Sequence, residues 1–450
     1  MLPSHTAATL LDVPLRPRAS GSTIPLSALQ LVYWKYISEH GGRTQRMVWI
    51  VRRIIGSLHI GLLKECLDFL VARHETLRTR IGVGGDMPEQ LVDAARSCAF
   101  DEIDLSGFPI IRREQELERL CKELIREELN PTVGPLFAAR LFRLSSEEYI
   151  LLLALDHLIA DRATNVILHN ELWQLYRQAA RAETLHLPEL PVQFGDYAIW
   201  QHQTCAAWRS LNEQYWRGRL SGLARIDLPK DGVPLEGDPV YRSTIFQFGR
   251  ELTAKLAAVA RSERTDLAVV VLTAYAIAMS HWCKRRDLLV WFAAHTRYRA
   301  ETRNMVGWLG CDFRLPVRLD GDDHVSGLLK RIHQEICSAY AHLDIGWGWD
   351  LYPESATEIS FNWNPSDALT QCLTIEVSES KRLLVEPYRL TIPYPCPLAA
   401  FFHYNNAEVS LKVSHRPDVY SPSSIENFGR DLLGCATRFV QEPLMPIALI

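Results

Sequence analysis

The chain has 450 residues, of which 47% are hydrophobic and 23% are charged, and it contains 24 glycines and 24 prolines. These values exclude a disordered, collagen-like or coiled-coil chain and leave room for two or three domains or one large two-lobed unit. The formal net charge is −4, from 49 basic and 53 acidic residues, so there is no broad basic field and nucleic acid is not expected as a partner.

Apolar and cysteine patterns bear on the compartment of the protein. The longest apolar stretch, 267–279, is too short to span a bilayer and predicts a buried helix. The first twenty residues lack the basic-then-apolar order of a signal peptide. The ten cysteines are widely spaced, with no CxxC pair, which predicts reduced thiols and no metal site. We therefore expect a cytoplasmic protein without a membrane partner.

The first part of the chain alternates between helical and strand patterns. Ser27 is a good helix N-cap, and the apolar residues of 58–72 fall on one helical face. The predicted elements are a helix after Ser27, a strand over 46–55, a helix over 58–72, a strand within 73–81, a charged helix over 112–130, a hairpin of strands over 137–144 and 149–155, and a helix from 161 to about 181.

The rest of the chain shows the same mixture. Residues 182–192 are punctuated by proline and predict a link, so we divide the chain into lobes over 1–185 and 186–450. The predicted elements of the second lobe are a loop over 229–239, helices over 252–260 and 267–282, and strands over 288–294, 313–319, 358–363 and 409–413. The pattern is α/β throughout, in two lobes.

The sharpest local feature is LLLALDHLIADRAT at 151–164. An apolar strand ends at Asp156-His157, and a three-residue turn places Asp161 before a helix. A neutral imidazole can take a proton from an amine or alcohol that attacks a carbonyl, and backbone N–H groups after His157 are candidate donors to the resulting oxyanion. The short pattern alone also fits a core histidine satisfied by a carboxylate, and on its own it favours that interpretation.

Eight segments occur in an informative order. They are LSALQLVYW at 26–34, RHETLRTRI at 73–81, DHLIADR at 156–162, FGDYAIWQ at 194–201, YWRGRLSGL at 215–223, MVGWLGCDFRLPVR at 305–318, AHLDIG at 341–346 and ISFNWNP at 359–365. Together they resemble the motifs of the condensation domains of nonribosomal peptide synthetases, over about residues 24–440.

The resemblance implies a fold and a reaction. Two lobes, each like chloramphenicol acetyltransferase, would form a pseudo-dimeric V with the active site between them. His157 and Asp161 match the catalytic motif, and Arg297 is the expected salt-bridge partner of Asp161. The enzyme would bind no cofactor or metal of its own. It would act as a monomer on a phosphopantetheine-linked thioester carried by a peptidyl or acyl carrier protein, with a small-molecule amine or a second carrier protein supplying the acceptor.

Three departures from the family pattern stand out. Asp156 replaces the first motif histidine, Arg162 replaces the motif glycine, and 307–312 is irregular. Arg162 could hold the carboxylate of a small free acceptor in bidentate fashion, or it could point away or pair with a nearby acid. Asp156, Asp161 and Thr164 also fit the D-x-x-x-x-D-x-x-S/T signature of the related heterocyclization domains, and Asp156 and Thr164 are expected, with Arg162, to bind substrate.

Two further patterns leave alternatives open. DIGWG at 344–348 resembles a signature of plant-type acyl-CoA-dependent acyltransferases, but His342 and Asp344 are better explained as a condensation-domain motif. A tryptophan cluster either lines an acyl pocket, for which Trp363 is the candidate, or packs in the core. Its members are Trp308, Trp347, Trp349 and Trp363.

No carrier or adenylation signature is evident, so the sequence predicts a free-standing condensation enzyme that forms amides. The alternatives are a heterocyclization enzyme, an ester-forming acyltransferase and a non-catalytic recruitment module.

Overall fold

The structure is a computed structural model. It describes residues 13–85, 87–223, 226–236, 240–294, 296–320, 324–343, 359–365, 367–377, 381–388, 390, 397–442 and 446.

The described residues contain nine α-helices of at least three turns. They are α1 (Ala28–Glu39), α2 (Ile60–Arg73), α3 (Ile110–Arg126), α4 (Arg162–Ala180), α5 (Phe194–Leu220), α6 (Arg250–Ser262), α7 (Leu267–Cys283), α8 (Val325–Tyr340) and α9 (Pro422–Gln441).

The strands form three sheets. The strands are β1 (Ile24–Pro25), β2 (Thr44–Ile55), β3 (Thr79–Gly82), β4 (Glu89–Val92), β5 (Phe100–Asp104), β6 (Glu128–Leu129), β7 (Phe137–Ser145), β8 (Glu148–Asp156), β9 (Arg242–Gln247), β10 (Asp287–Ala294), β11 (Cys311–Arg318), β12 (Ser360–Pro365), β13 (Leu373–Glu376), β14 (Arg382–Pro387), β15 (Leu398–Asn405) and β16 (Glu408–His415). The seven-stranded sheet has the order β13-β14-β2-β8-β7-β5, with β6 paired to β2. The six-stranded sheet has the order β11-β10-β12-β15-β16-β9, and β1-β4-β3 form a small third sheet.

Strand β8 lies at the centre of the seven-stranded sheet and is covered on both faces. Leu151, Leu153 and Leu155 belong to the hydrophobic cluster that includes residues of α2 and α4. Ile150 and Leu152 belong to a second cluster, which includes residues of α3. Because successive side chains of a strand point to opposite faces, this double coverage explains the unbroken apolar run of β8.

The core of the second half is built around α7. Every residue from Val269 to Met279 is buried, most of them in a cluster shared with the six-stranded sheet, which confirms the predicted buried helix. No single helix among the described residues has both the length and the apolarity to cross a membrane, although the bent pair α6 and α7 passes that test when the two are taken together.

Strands from the second half of the sequence complete the first sheet. β14 pairs antiparallel with β2, and β13 pairs with β14. Arg52 on β2 is fully buried and donates hydrogen bonds to the carbonyls of Leu369, Gln371 and Val385. Residues 367–377 and 382–387 therefore tie the second half to the first sheet. The boundary at 185/186 stays a prediction.

Most predicted elements are present, with shifted ends and some omissions. The charged helix α3 ends at Arg126 instead of 130, and the short strand β6 follows it. A single 3-10 turn, Glu75–Arg78, precedes β3. Simple periodicity missed α5, which contacts β1, α1, β11 and the 3-10 turn, because its apolar positions are distributed around the helix instead of along one stripe.

Candidate active site

His157 lies in the turn between β8 and α4. Oδ1 of Asp156 accepts a hydrogen bond from the backbone N–H of Leu158 at 2.8 Å. The carbonyl of Leu158 accepts from Nε2 of Gln30 at 2.8 Å, and the N–H of Ile159 donates to the carbonyl of Asp156. These bonds fix the turn from both sides. They also engage the N–H groups of residues 158 and 159 within the turn, and the role of backbone groups after His157 as oxyanion donors stays a prediction.

The imidazole of His157 is held in a partly buried, largely apolar setting. Its ring centroid lies 4.4 Å from that of Trp308, with a tilt of 44° between the planes. Nδ1 is buried and has no hydrogen-bond partner among the described residues. Burial lowers the pKa of His157, and the backbone groups of His157 and Ala160, together with the charge of Asp161, oppose that effect only in part. The neutral imidazole, which can act as a base, is therefore the favoured form near neutral pH.

This pKa shift predicts the pH dependence of any reaction in which His157 is the base. Since the neutral form persists to lower pH than in an ordinary histidine, the acid limb of kcat/KM should fall below about pH 6.5. The check is a pH–rate profile, with intrinsic fluorescence recorded at each pH to exclude unfolding. An acid limb at or above the ordinary histidine value would contradict the assignment of this limb to His157.

Asp161 is a buried carboxylate with four hydrogen-bond donors. Oδ1 accepts from the N–H of Thr164 at 2.9 Å and so caps α4. Oδ2 accepts from Nη1 of Arg297 at 2.6 Å and from the N–H groups of Leu309 at 3.0 Å and Gly310 at 2.7 Å. Burial by itself would raise the pKa of Asp161, but the charge and hydrogen bonds of Arg297, helped by the backbone donors, hold it at about 2. The carboxylate is thus ionised throughout the physiological range.

Arg297 and Thr164 clamp the loop that carries Trp308. The hydroxyl of Thr164 donates to the carbonyl of Gly307 at 2.9 Å and accepts from the N–H of Gly307 at 3.1 Å. Arg297 also donates to the carbonyl of Gly307 at 2.9 Å. Because these bonds join the loop to the first turn of α4, they bring the indole of Trp308 against His157. The expected ion pair between Arg297 and Asp161 is present, and Arg297 also holds the loop that carries Trp308.

Replacement of Gly307 by a larger residue is expected to destabilise the fold. It has φ +155°, and a Cβ there would overlap the ring of Phe194. Gly307→Ala should therefore lower the free energy of unfolding by roughly 1–3 kcal/mol. Chemical denaturation measures this change. Gly218→Ala is the matched control, since no heavy atom lies within 4 Å of its Cβ and alanine favours a helix. A Gly307→Ala protein as stable as the control would contradict the packing seen here.

Asp156 and Thr164 are committed to contacts within the protein. Both are fully buried. Oδ2 of Asp156 accepts from the hydroxyl of Thr44 at 2.9 Å, and the Thr44 hydroxyl lies 3.0 Å from that of Tyr33. Burial, together with the negative charge of Asp156, raises the pKa of Tyr33 to about 12. The geometry thus gives the two residues positioning roles and does not favour the predicted substrate-binding roles or the heterocyclization signature.

Arg162 forms an ion pair across the two halves of the chain. Its Nη2 donates to Oδ2 of Asp367 at 2.7 Å. The other oxygen of Asp367 accepts from the N–H of Leu369 and caps the 3-10 turn Ala368–Thr370. The alternative in which Arg162 pairs with a nearby acid is therefore the arrangement present in the structure.

The other aromatic candidates pack against the core of the second half or lie outside the described residues. Trp363 lies on β12, where its ring stacks on those of Phe361 and Tyr404 with centroid distances of 6.3 and 6.4 Å, and it packs against the core of the second half. This environment favours core packing over the predicted acyl-pocket role. Trp347 and Trp349 lie outside the described residues.

His342 is engaged by residues of α5. Nδ1 of His342 lies 2.7 Å from Oδ1 of Asn212, and the imidazole stacks on Tyr215 at 3.8 Å. Asp344 and the whole match at 344–348 fall outside the described residues.

Sequence reasoning did not identify two residues of the site. Trp308 stood out only as a member of the tryptophan cluster, and the signal that could have marked it is the Gly307-Trp308 pair inside the motif segment 305–318. Asp367 had no signal, because nothing in the local sequence indicates that it meets Arg162. The described residues include no group of three or more His, Cys, Asp or Glu side chains arranged to hold a metal ion.

Comparison with known proteins identifies the family. The model of the family described as condensation domain matches residues 21–450. The chain belongs to the condensation-domain family. It is 28% identical over 419 residues to a linear gramicidin synthase protein of Brevibacillus parabrevis, covering 88% of this chain and 8% of that protein. It is also 28% identical over 362 residues to phosphinothricin tripeptide synthetase PhsC of Streptomyces viridochromogenes, covering 78% of this chain and 33% of that protein. The condensation domain thus spans a small part of these relatives.

Solved structures of condensation domains and their kin share the fold. The X-domain from teicoplanin biosynthesis matches with a TM-score of 0.81 at 19% identity, covering 97% of this chain and 99% of that one. The first condensation domain of the calcium-dependent antibiotic synthetase, in complex with a substrate analogue, matches with a TM-score of 0.75 at 18% identity, covering 96% and 99%. These likenesses confirm the expected α/β fold of two chloramphenicol-acetyltransferase-like lobes.

Proposed function

We propose that this condensation domain joins a carrier-bound acyl or aminoacyl thioester to an amine and forms an amide in the biosynthesis of a peptide or related natural product. The observation that carries the proposal is the placement of His157. Its imidazole is fixed at the end of a buried strand, its pKa is lowered by burial, and an ionised aspartate four residues later locks the following helix.

The proposed step needs a base and accurate positioning. The nitrogen of the acceptor attacks the thioester carbonyl, a C–N bond forms and the C–S bond breaks. His157 takes the proton from the attacking amine and returns it to the departing thiol. A thioester is already activated, so much of the acceleration would come from holding the two substrates together. The ion pair of Asp161 and Arg297 acts as a positioning device, because it fixes the start of α4 and the Trp308 loop.

The donor would reach the site on the phosphopantetheine arm of a peptidyl or acyl carrier protein. The chain itself is proposed to bind no cofactor, since the pantetheine thioester is part of the substrate. The matched relatives include synthetases named for gramicidin and phosphinothricin tripeptide, which supports a peptide or related product.

Mass spectrometry of a single reaction tests the proposal. A carrier protein loaded with an acyl group is mixed with the protein and a panel of amines, amino acids and alcohols. We expect loss of the acyl group from the carrier thiol and a product whose mass equals the parent carboxylic acid plus the amine minus one water. Loss of a second water would instead indicate heterocyclization, and product with alcohols alone would indicate ester formation.

A recruitment module is the second candidate function. The replacements at Asp156 and Arg162 favour it, as does the fold likeness to an X-domain whose structure was solved in complex with OxyB. Binding of loaded carrier protein without turnover of any acceptor would support this candidate and contradict the condensing enzyme.

A further inference from the structure

Arg162 presents unused hydrogen-bond donors beside the His157 turn. It is the first residue of α4, and its side chain is 34% exposed. The bond to Asp367 is the one hydrogen bond that its side chain makes with the described residues. Its remaining guanidinium nitrogens are not among the buried polar atoms that lack partners, so they have access to solvent. A guanidinium presents five donors in a planar fork, and this one uses a small part of that capacity.

The segment that carries Asp367 does not depend on Arg162 for its position. Asp367 caps its own 3-10 turn through Oδ1, and the buried Arg52 holds the carbonyls of Leu369 and Gln371 at 2.8 and 2.7 Å. A partly exposed ion pair contributes little to stability. The contact between Arg162 and Asp367 can therefore exchange with another carboxylate at low cost.

We infer that Arg162 binds the free carboxylate of the acceptor, so that the acceptor is a small amino-carboxylate such as a free amino acid. This inference rests on the proposed function. The planar fork of Arg162 suits bidentate recognition of a carboxylate. Arg162 is the first residue of the helix that follows the His157 turn, and an acceptor held there is proposed to present its amine to the imidazole. Asp367 then acts as an internal competitor that neutralises Arg162 until the acceptor arrives. A carrier-bound aminoacyl thioester has no free carboxylate at this position.

A matched pair of acceptors tests the inference at a fixed, saturating concentration of loaded carrier. The pair is a free amino acid and its C-terminal amide. The KM of the wild-type protein should be about tenfold or more lower for the acid than for the amide. Arg162→Gln should raise the KM for the acid by a similar factor and leave that for the amide unchanged. Asp367→Asn should lower the KM for the acid, because asparagine can still cap the turn but competes weakly for Arg162.

The opposite signs of the two variants separate recognition from a structural role. A structural ion pair would make both variants impair both acceptors equally, which would overturn the inference. Equal KM values for the acid and the amide in the wild-type protein would also overturn it, even if Arg162→Gln failed to fold. Arg181→Gln, at the exposed far end of the same helix, is the control and should match the wild type. Absence of product with both acceptors would overturn the proposed function instead, and this inference with it.

Discussion

His157→Ala is expected to reduce amide formation by about 10²- to 10⁴-fold, the range over which a positioned general base accelerates proton transfer. Removing the imidazole takes away the proton acceptor while Asp161, Arg297 and the Trp308 loop keep their mutual bonds. Binding of the loaded carrier protein should therefore be preserved. Single-turnover formation of product, followed by mass spectrometry, measures the rate, and co-migration with the carrier measures binding.

The control for this prediction is another histidine. His186 is exposed, and the two hydrogen bonds that it makes with Gln178 use only its backbone. His186→Ala should keep the wild-type rate. Circular dichroism and thermal unfolding of both variants exclude general misfolding. A His157→Ala protein that retained the wild-type rate would show that proton transfer at this residue does not limit catalysis, and the proposed role of His157 would have to be abandoned.

The sequence predicted the strand, turn and helix that form the site, because these elements depend on residues that are close together in the sequence. The buried run of β8, the N-cap at Asp161 and the helix that follows all depend on neighbouring residues. The pairing of Arg297 with Asp161 required more than this, since 136 positions separate the two residues. It was reached only through the resemblance to a family.

The contacts that could not be predicted are those between distant segments with no shared pattern. Asp367 meets Arg162 because residues 367–377 and 382–387 of the second half lie against the first sheet, and periodicity carries no information about that placement. The partners of Asp156 illustrate the same limit. Thr44 lies on β2, which is antiparallel to β8, so its contact with Asp156 follows from strand register instead of local sequence.

Asp156 shows how a changed motif residue can keep its architectural task. Its two carboxylate oxygens hold the N–H of Leu158 and the hydroxyl of Thr44 at 2.8 and 2.9 Å. A short acidic side chain that bonds the backbone two residues later stabilises a turn of this kind. The replacement of the first motif histidine therefore leaves the turn that presents His157 well supported.

Arg297→Ala is expected to destabilise the fold by about 3–5 kcal/mol, because it leaves the buried carboxylate of Asp161 without its counter-ion. Both side chains are about nine-tenths buried. The same change removes one of the donors to the carbonyl of Gly307 and so loosens the loop that places Trp308 against His157. Amide formation should fall together with stability. Chemical denaturation and single-turnover kinetics of the same protein sample measure the two effects.

The pH dependence of this ion pair gives an independent readout. The pKa of Asp161 in the folded state is about 2, below its ordinary value of 3.8, so the unfolded state binds the proton more readily. The stabilising contribution is therefore complete above about pH 4 and is lost as the pH falls through about 2. The stability difference between wild type and Arg297→Ala should be largest near neutral pH and shrink as the pH falls, because the variant's Asp161 has lost the charge and hydrogen bonds of Arg297 and takes up a proton at a higher pH than the wild-type carboxylate. Arg303→Ala, an exposed neighbour, should change the free energy of unfolding by less than about 0.5 kcal/mol. If Arg297→Ala behaved like Arg303→Ala, the buried ion pair would not hold the loop, and the positioning role proposed for it would fail.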